Sequence, residues 1–465
     1  MEMIKYFIRE ESTYKKADLF IKLNIGDEIG EKLISLLLQY GVIIPDKQNG
    51  SETSFKFSFV GIIIFKNLVI RCFPKYIAST EMPEKEFVQI MNVLRYYGRE
   101  SRAKFQPSGD NEYLEFNLVS ESLYFLHNYA EYGIYANTTY DCEYNGSGEI
   151  LWDSTISGME PVFCEDTPLY MDFQTRSIVD EQNSYVTRLH KFILTECSRF
   201  LEEAGLLQLF GLSPLELSNE QWEYFGSDEY IAQRLRSELD MQFETAKQDL
   251  LNRLIRFIER RENLAAHPLH LYGVTAFERV WEAVCAKAFG NQLDRELGNL
   301  KLPMQLKYDY DSSLKLLKLI KKPEWNLEEF SPFLGAGTLI PDIAVFYRYK
   351  NETVFVIFDA KYYSYSPLQD QLPGIGDISK QYLYELSFRK FLQDHGISHI
   401  QNVFLMPYEG VKMKYKGYVK FAPLENLGCV NIKIILVPAE KAFARYLNDD
   451  IRSDFTESAL NELYK

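Results

Sequence analysis

The segment "IPDIAVFYRYKNETVFVIFDAKYY", residues 340 to 363, constrains the fold of this chain more than any other stretch. Its second half contains "TVFVIF", an unbroken β-branched and aromatic run, which is the pattern of a strand buried on both faces. Such a strand leaves little room for charge, yet the segment also holds Asp342, Asp359 and Lys361. Side chains alternate along a strand, so Asp359 and Lys361 point the same way. A turn between Lys350 and Asn351 falls midway between positions 342 and 359, and would set Asp342 opposite Asp359 across the ladder.

Like charges directly opposite on paired strands are unfavourable. A cation between them resolves the conflict, and a hard divalent ion such as Mg²⁺ takes oxygen ligands while keeping waters for a substrate phosphate. With Lys361 beside them, the set suffices in principle for phosphodiester hydrolysis. The plainer alternative is that Asp342 caps a turn and Asp359 pairs with Lys361 at a strand end. Upstream, "FERVWEAVC" places Glu278 and Glu282 on one helix face, and either could complete a metal site. Downstream, "GDISKQYLYE" puts Lys380, Gln381 and Tyr384 near a helix start, where polar groups can hold a phosphate or orient the lysine.

Around this segment the chain has 465 residues, a length that suggests about three domains. Residues 1–112 read as a β-rich amino-terminal domain, because "FKFSFVGIIIFKNLVIRCFPK" gives two apolar runs about a Lys66–Asn67 turn and ends at Pro74. Helical spacing flanks that hairpin in "GDEIGEKLISLLLQYGVI", closing on Gly41, and in "EKEFVQIMNVLRYYG". The polar stretch "PSGDNEY" marks a boundary near residue 110. Residues 113–264 read as mainly helical, with runs from Asn183 to Ala204 and from Tyr230 to Glu262. Residues 265–465 give helix, strands, helix, strand: an α/β order, with a mixed sheet flanked by helices.

The net charge of −15 argues against a uniformly basic, nucleic-acid-coating surface, although it leaves room for a local basic groove. Lysines 301, 307, 315, 318, 321, 322, 412, 414, 416 and 420 concentrate positive charge in the final third, either as a solvated face or as contacts to a DNA backbone. Six cysteines lie far apart with no C-x-x-C pair, the start lacks a signal-peptide pattern, and no apolar run spans a bilayer. A cytoplasmic protein with reduced thiols is expected. His267 and His270 flank Pro268, and His395 and His399 share a helix face only if Gly396 does not break it, so zinc is not expected. No G-x-x-x-x-G-K-[ST] loop is present, and NTP hydrolysis by this chain is not expected.

The order of "PD", sixteen intervening residues, "DAK", an upstream helical glutamate and a downstream "KQYLYE" resembles the PD-(D/E)XK nuclease signature. Together with "VGIIIFKNLVIRCFPKY", "GEILWDSTI" and "SYVTRLHKFILTEC", it resembles the LlaJI-type restriction endonuclease family, whose members are similar to McrC, the nuclease subunit that works with an NTP-hydrolysing McrB partner. The resemblance implies a restriction-endonuclease-like core, with Asp342 and Asp359 as Mg²⁺ ligands, Glu282 as the helical carboxylate that joins them with Glu278 as its competitor, Lys361 as catalytic lysine, and Gln381 and Tyr384 in support. The Q-x-x-Y spacing here departs from the more familiar Q-x-x-x-Y. The implied partners are double-stranded DNA, a McrB-like AAA+ NTPase engaged through the amino-terminal region, and a DNA methyltransferase of the same system. A repair or recombination nuclease, and a catalytically silent DNA-binding adaptor, are the competing readings.

Overall fold

In the computed structural model the quoted segment is a two-residue hairpin. Strands Ile343–Tyr349 and Glu352–Ala360 pair antiparallel, from Ile343 opposite Phe358 to Tyr349 opposite Glu352. Lys350 and Asn351 form the turn with φ of +46° and +70°. Two consecutive positive φ values give a backbone twist that matches the flanking strands, and asparagine tolerates this conformation better than most residues. The described residues are 4–46, 54–79, 84–104, 118–165, 167–180, 184–262, 267–328, 330–364, 372–448 and 454–465. The polar stretch read as a boundary, residues 107–113, lies outside them.

The hairpin forms one side of a five-stranded mixed sheet. Its order is Ile343–Tyr349, Glu352–Ala360, His399–Tyr408, Ile432–Pro438, Lys414–Val419, with the inner pairs parallel and the outer pairs antiparallel. From Val354 to Ala360 every residue of the second hairpin strand is buried, as its unbroken apolar run requires. On one face Ala344, Phe346, Phe355 and Ile357 pack against Tyr384, Phe388, Phe391 and Leu392 of the helix Ile375–Asp394. Phe358, of the opposite parity, meets Phe289 at the end of the helix Phe277–Ala288 with ring centroids 4.8 Å apart. Gln292 covers the outer edge: its side chain both donates to and accepts from Phe346, which satisfies backbone groups an edge strand would otherwise expose.

The chain divides into two compact units. One comprises Lys5–Ile63, Leu68–Gly109 and Gly273–Lys465; the other comprises Met1–Ile4, Ile64–Asn67 and Asp110–Tyr272. Most of the amino-terminal stretch thus belongs to the same unit as the five-stranded sheet. Strands Val60–Phe65 and Leu68–Phe73 flank Lys66, whose φ is +54°. The helix Asp27–Gln39 stops just before Gly41, at φ +66°. A small sheet pairs Thr13–Lys15 and Ile43–Asp46 on either side of Ser54–Phe57.

In the other unit Ser184 caps the helix Tyr185–Glu203 by accepting from the Thr187 N–H. The run from Tyr230 to Glu262, whose apolar spacing reads as continuous, is divided into helices Asp228–Asp240 and Thr245–Glu259. The Gln248 side chain donates to the Gln242 carbonyl at 2.6 Å between them, offering the interrupted backbone a partner. Fully buried Glu121 is held by two N–H donors of Arg253, the geometry in which a buried carboxylate is tolerated. Short strands accompany these helices: Thr138–Tyr144 and Glu149–Ile150 pair on either side of Gln174–Asp180. Among the described residues no helix is long and apolar enough to cross a membrane.

Candidate active site

The hairpin register decides which residues meet. One step beyond the Ile343–Phe358 pair, Asp342 reaches the level of Asp359, and its Oδ2 accepts the Ala360 N–H at 2.8 Å. Asp342 shares the parity of Ala344 and Phe346, and Asp359 that of Phe355 and Ile357. Both therefore project on the face covered by the helix Ile375–Asp394. Lys361 follows the same parity, and its Nζ lies 2.8 Å from Asp359 Oδ2. Its backbone N–H donates to the Leu405 carbonyl at 2.9 Å, extending the ladder to the next parallel strand. The cluster thus sits at the carboxyl ends of parallel strands, where α/β sheets place their ligands.

Burial and crowding show in the protonation of these groups. Burial, the Asp359 charge and a hydrogen bond between the two carboxyls push Asp342 up to about 8. Burial alone would lower the Lys361 ammonium, but Asp359 and Asp377 outweigh it and hold it above its ordinary value. Glu282 is raised by burial and then by Asp359, with Lys361 acting in the opposite sense. In both acids burial leads and the Asp359 charge adds to it, so the charged form of each carboxyl is poorly compensated at this position.

Of the two helical glutamates, half-buried Glu282 has Asp359 and Lys361 as electrostatic neighbours, whereas Glu278 is exposed. The helix is fixed beside the site by Trp281, whose indole N–H donates to the same Leu405 carbonyl at 3.3 Å. Gln381 and Tyr384 lie on the core side of their helix. Gln381 donates to the Ile357 carbonyl at 2.9 Å, and Tyr384 donates to the Ile340 carbonyl at 3.0 Å. Gln381 therefore braces the strand that carries Asp359, and Tyr384 the segment that leads into Asp342. Burial, then Asp359 and Asp342, pushes the Tyr384 phenol up to about 12.

The helix begins at Ile375, earlier than the placement of Lys380, Gln381 and Tyr384 near a helix start requires. Lys380 is exposed, and the residue that occupies the first turn and reaches Lys361 is Asp377, with Oδ1 at 2.9 Å from Nζ. Sequence reasoning passed over Asp377. Its signal was present in "GIGD", an acidic residue following two glycines at a helix entrance, where carboxylates are favoured. Asn291 was passed over as well. It donates to the Asp342 carbonyl at 3.0 Å and accepts from the Ala344 N–H, fixing the start of the first hairpin strand from both sides.

His395 and His399 do not share a helix face, because Gly396 adopts φ +67° and ends the helix. His395 is buried and bonded to Phe391 and Lys307, and His399 pairs with Glu352. None of the six cysteines forms a disulfide. Lysines 301, 307, 315, 318, 321, 322, 412, 414, 416 and 420 are all exposed, with Lys307 paired to Asp394 and Lys315 to Asp294.

The donor set suits a divalent cation. Two mutually hydrogen-bonding carboxyls, oxygen-only and short of positive charge, fit a hard ion that retains several waters. Among the described residues no group of three or more histidines, cysteines, aspartates or glutamates closes into a metal-holding cluster, so Glu282 stands in the electrostatic vicinity rather than as a formed third ligand. The Asp359–Lys361 ion pair is also what the plainer, turn-stabilising alternative expects. That alternative also accounts for the Ala360 N–H bonded to Asp342, but not for the hydrogen bond between the two carboxyls.

The fold is thus a mixed α/β sheet with two aspartates and a lysine gathered at its strand ends. Residues 59–438 match the model of the LlaJI restriction endonuclease family, and the chain belongs to that family. It is 25% identical over 466 residues to the type II restriction enzyme BsuMI component YdjA of Bacillus subtilis (strain 168), covering 97% of this chain and 90% of the relative. Among solved structures it is similar to a chain from an assembly of Thermococcus gammatolerans McrB AAA+ hexamers with bound McrC, at 14% identity and a TM-score of 0.40, covering 96% of this chain and 100% of that one. A chain of the Thermococcus gammatolerans McrBC complex matches at 14% identity and a TM-score of 0.23, covering 55% and 80%.

Proposed function

We propose that this chain is the Mg²⁺-dependent DNA endonuclease subunit of a restriction, or antiphage defence, system, with a PD-(D/E)XK core in its carboxy-terminal third. The observation that carries the reading is the opposition of Asp342 and Asp359 across the hairpin with Lys361 beside them. Membership of a restriction endonuclease family supports it.

Asp342 and Asp359 would hold the cation, with Glu282 as the third carboxylate, and the bound ion would supply positive charge at the scissile phosphate and acidify water. The protein's own contribution is positional and electrostatic. Lys361, kept protonated by its two aspartates, offers an ammonium to the negative charge that develops on the phosphate oxygens. Gln381 and Tyr384 hold the strands that aim the carboxylates. Exposed lysines of the final third would contact the DNA backbone, positioning the duplex without reading its sequence.

A McrB-like AAA+ NTPase, engaged through the amino-terminal region, and an associated DNA methyltransferase complete the proposed system. The relative named as a component of a type II restriction enzyme favours a multi-subunit arrangement. The Asp359–Lys361 ion pair favours a second reading, a catalytically silent DNA-binding subunit in which the acids only stabilise a strand end. The deciding experiment incubates methylated and unmethylated plasmid with Mg²⁺ and either this protein alone or the protein with a McrB-like AAA+ NTPase and NTP. Metal-dependent cleavage supports the nuclease. Absence of both cleavage and Mg²⁺ binding in every arm supports the silent subunit.

A further inference from the structure

Immediately after Lys361 the chain turns back on itself, the Tyr363 N–H donating to the Lys361 carbonyl at 3.0 Å in a three-residue turn centred on Tyr362. The direction of that turn fixes where the Lys361 backbone ends, and Tyr362 is held from the amino-terminal part of the same compact unit. Its phenol donates to Glu10 Oε2 at 2.5 Å. The Lys75 backbone N–H is shared between Glu10 Oε2 and the Tyr362 oxygen, 3.2 Å from each. The Lys75 carbonyl accepts from the Ser364 hydroxyl at 2.9 Å, and its ammonium lies 4.6 Å from the centre of the Tyr362 ring while bonded to Glu11 at 2.8 Å.

The same amino-terminal stretch is tied down a second time. Glu409, directly after the neighbouring parallel strand, accepts from the Ala78 and Ser79 N–H groups at 2.7 and 3.2 Å, and Arg9 donates to the Ala78 and Ser79 carbonyls. The stretch from Pro74 to Ser79 therefore straps across the carboxyl ends of the two strands that border the candidate site. Glu10 is nearly inaccessible, and burying a carboxyl is costly unless its bonds are made. A well-packed apolar side chain would serve stability as well, so the polar arrangement is better explained by the geometry it enforces.

We propose that Glu10, Lys75 and Tyr362 form a latch through which the amino-terminal segment positions Lys361, making these three positioning residues of the active site. The proposal rests on the nuclease reading for its catalytic consequence, but its structural content stands apart from that reading. In consequence, the Pro-Lys pair that ends the amino-terminal hairpin is part of the site rather than of a separate module.

The test uses the full-length chain and three variants, Tyr362→Phe, Glu10→Leu and Glu10→Gln. Tyr362→Phe keeps the ring and removes the hydroxyl, whereas Glu10→Gln keeps an acceptor for both donors. Amide hydrogen exchange at Lys361 and Tyr363 should speed up by about tenfold or more in Tyr362→Phe and Glu10→Leu, while the amides of Val403 to Leu405 stay protected, and Glu10→Gln should restore most of the loss. DNA cleavage should show kcat reduced by about ten- to a hundredfold with KM unchanged, since misplacement affects the transition state and not DNA binding. Unchanged exchange at Lys361 and Tyr363 would overturn the latch whether or not DNA is cut, and faster exchange with full kcat would overturn its positioning role. If the wild-type chain cuts no DNA while the exchange changes appear, the latch is upheld as the device that places Lys361 and the nuclease reading alone is lost.

Discussion

The ammonium of Lys361 lies 2.9 Å from a carboxylate oxygen of Asp377, on a helix that begins well after the hairpin closes. Because Asp359 holds the same ammonium at 2.8 Å, the lysine is shared between a proposed metal ligand and a carboxylate that is not one. Sharing the ammonium with Asp377 weakens its hold on Asp359, which leaves that carboxylate more available to a cation. In Asp377→Asn the lysine should settle on Asp359 and compete with the ion. The Mg²⁺ concentration giving half-maximal cleavage should then rise by about three- to tenfold, the range expected for one partly buried charge contact. A Mg²⁺ titration of cleavage rate measures this, and an unchanged midpoint would contradict it.

Asp342 makes stability depend on pH. Its folded-state value of about 8 lies above its ordinary 3.8, so between these limits the folded chain keeps a proton that the unfolded chain has released. Its stabilising contribution is complete below about pH 4 and is lost as pH rises through about 8. The amide introduced by Asp342→Asn is neutral throughout and can still accept from the Ala360 N–H. In metal chelator, Asp342→Asn should therefore melt at a higher temperature than wild type near pH 8 and at nearly the same temperature near pH 4. Parallel melting curves across that interval would contradict the assignment.

The turn sets the register, and Asn351 sustains it at φ +70°. A β-branched residue resists this backbone, so Asn351→Val should cost about 1–2 kcal/mol in urea unfolding with an unchanged m-value, whereas Asn351→Gly should be nearly neutral. Equal midpoints for the two variants would mean that the turn tolerates strain.

The hairpin was legible in the sequence because one period and one midpoint specify it. The apolar run of the second strand, Lys350–Asn351 at the centre, and Asp342 and Asp359 at equal distances from the turn left a single register in which the acids meet. Asp377 was not legible in the same way, since its contact with Lys361 depends on how the Ile375–Asp394 helix is laid across the sheet. Lys380 drew attention as the charge next to Gln381, yet the helix starts at Ile375 and carries Lys380 to solvent. The Tyr230–Glu262 run shows the opposite limit: apolar spacing continues through Met241 to Glu244, and nothing in its period records the break between the two helices. The association of Glu10 and Lys75 with Tyr362 joins positions hundreds of residues apart, beyond the reach of any local pattern.

Exposed Lys321 and Lys322 follow a short turn of helix before the hairpin and are candidates for backbone contact. If each neutralises one phosphate, Lys321→Ala with Lys322→Ala should reduce the slope of log affinity against log salt by about 2, without changing preference between duplex sequences. Fluorescence anisotropy of a labelled duplex over a salt series reads the slope. An unchanged slope would remove these lysines from the DNA-binding surface.

The central claim is that Asp342, Asp359 and Lys361 form a metal-dependent hydrolytic site. It is tested most directly by Mg²⁺-dependent plasmid cleavage with wild type and a folded Asp359→Ala variant, each with and without a McrB-like NTPase, the proposed partner. Cleavage by wild type that chelator abolishes, with a loss of at least about a hundredfold in the variant, is the expected result. Full metal-dependent cleavage by folded Asp359→Ala would contradict it.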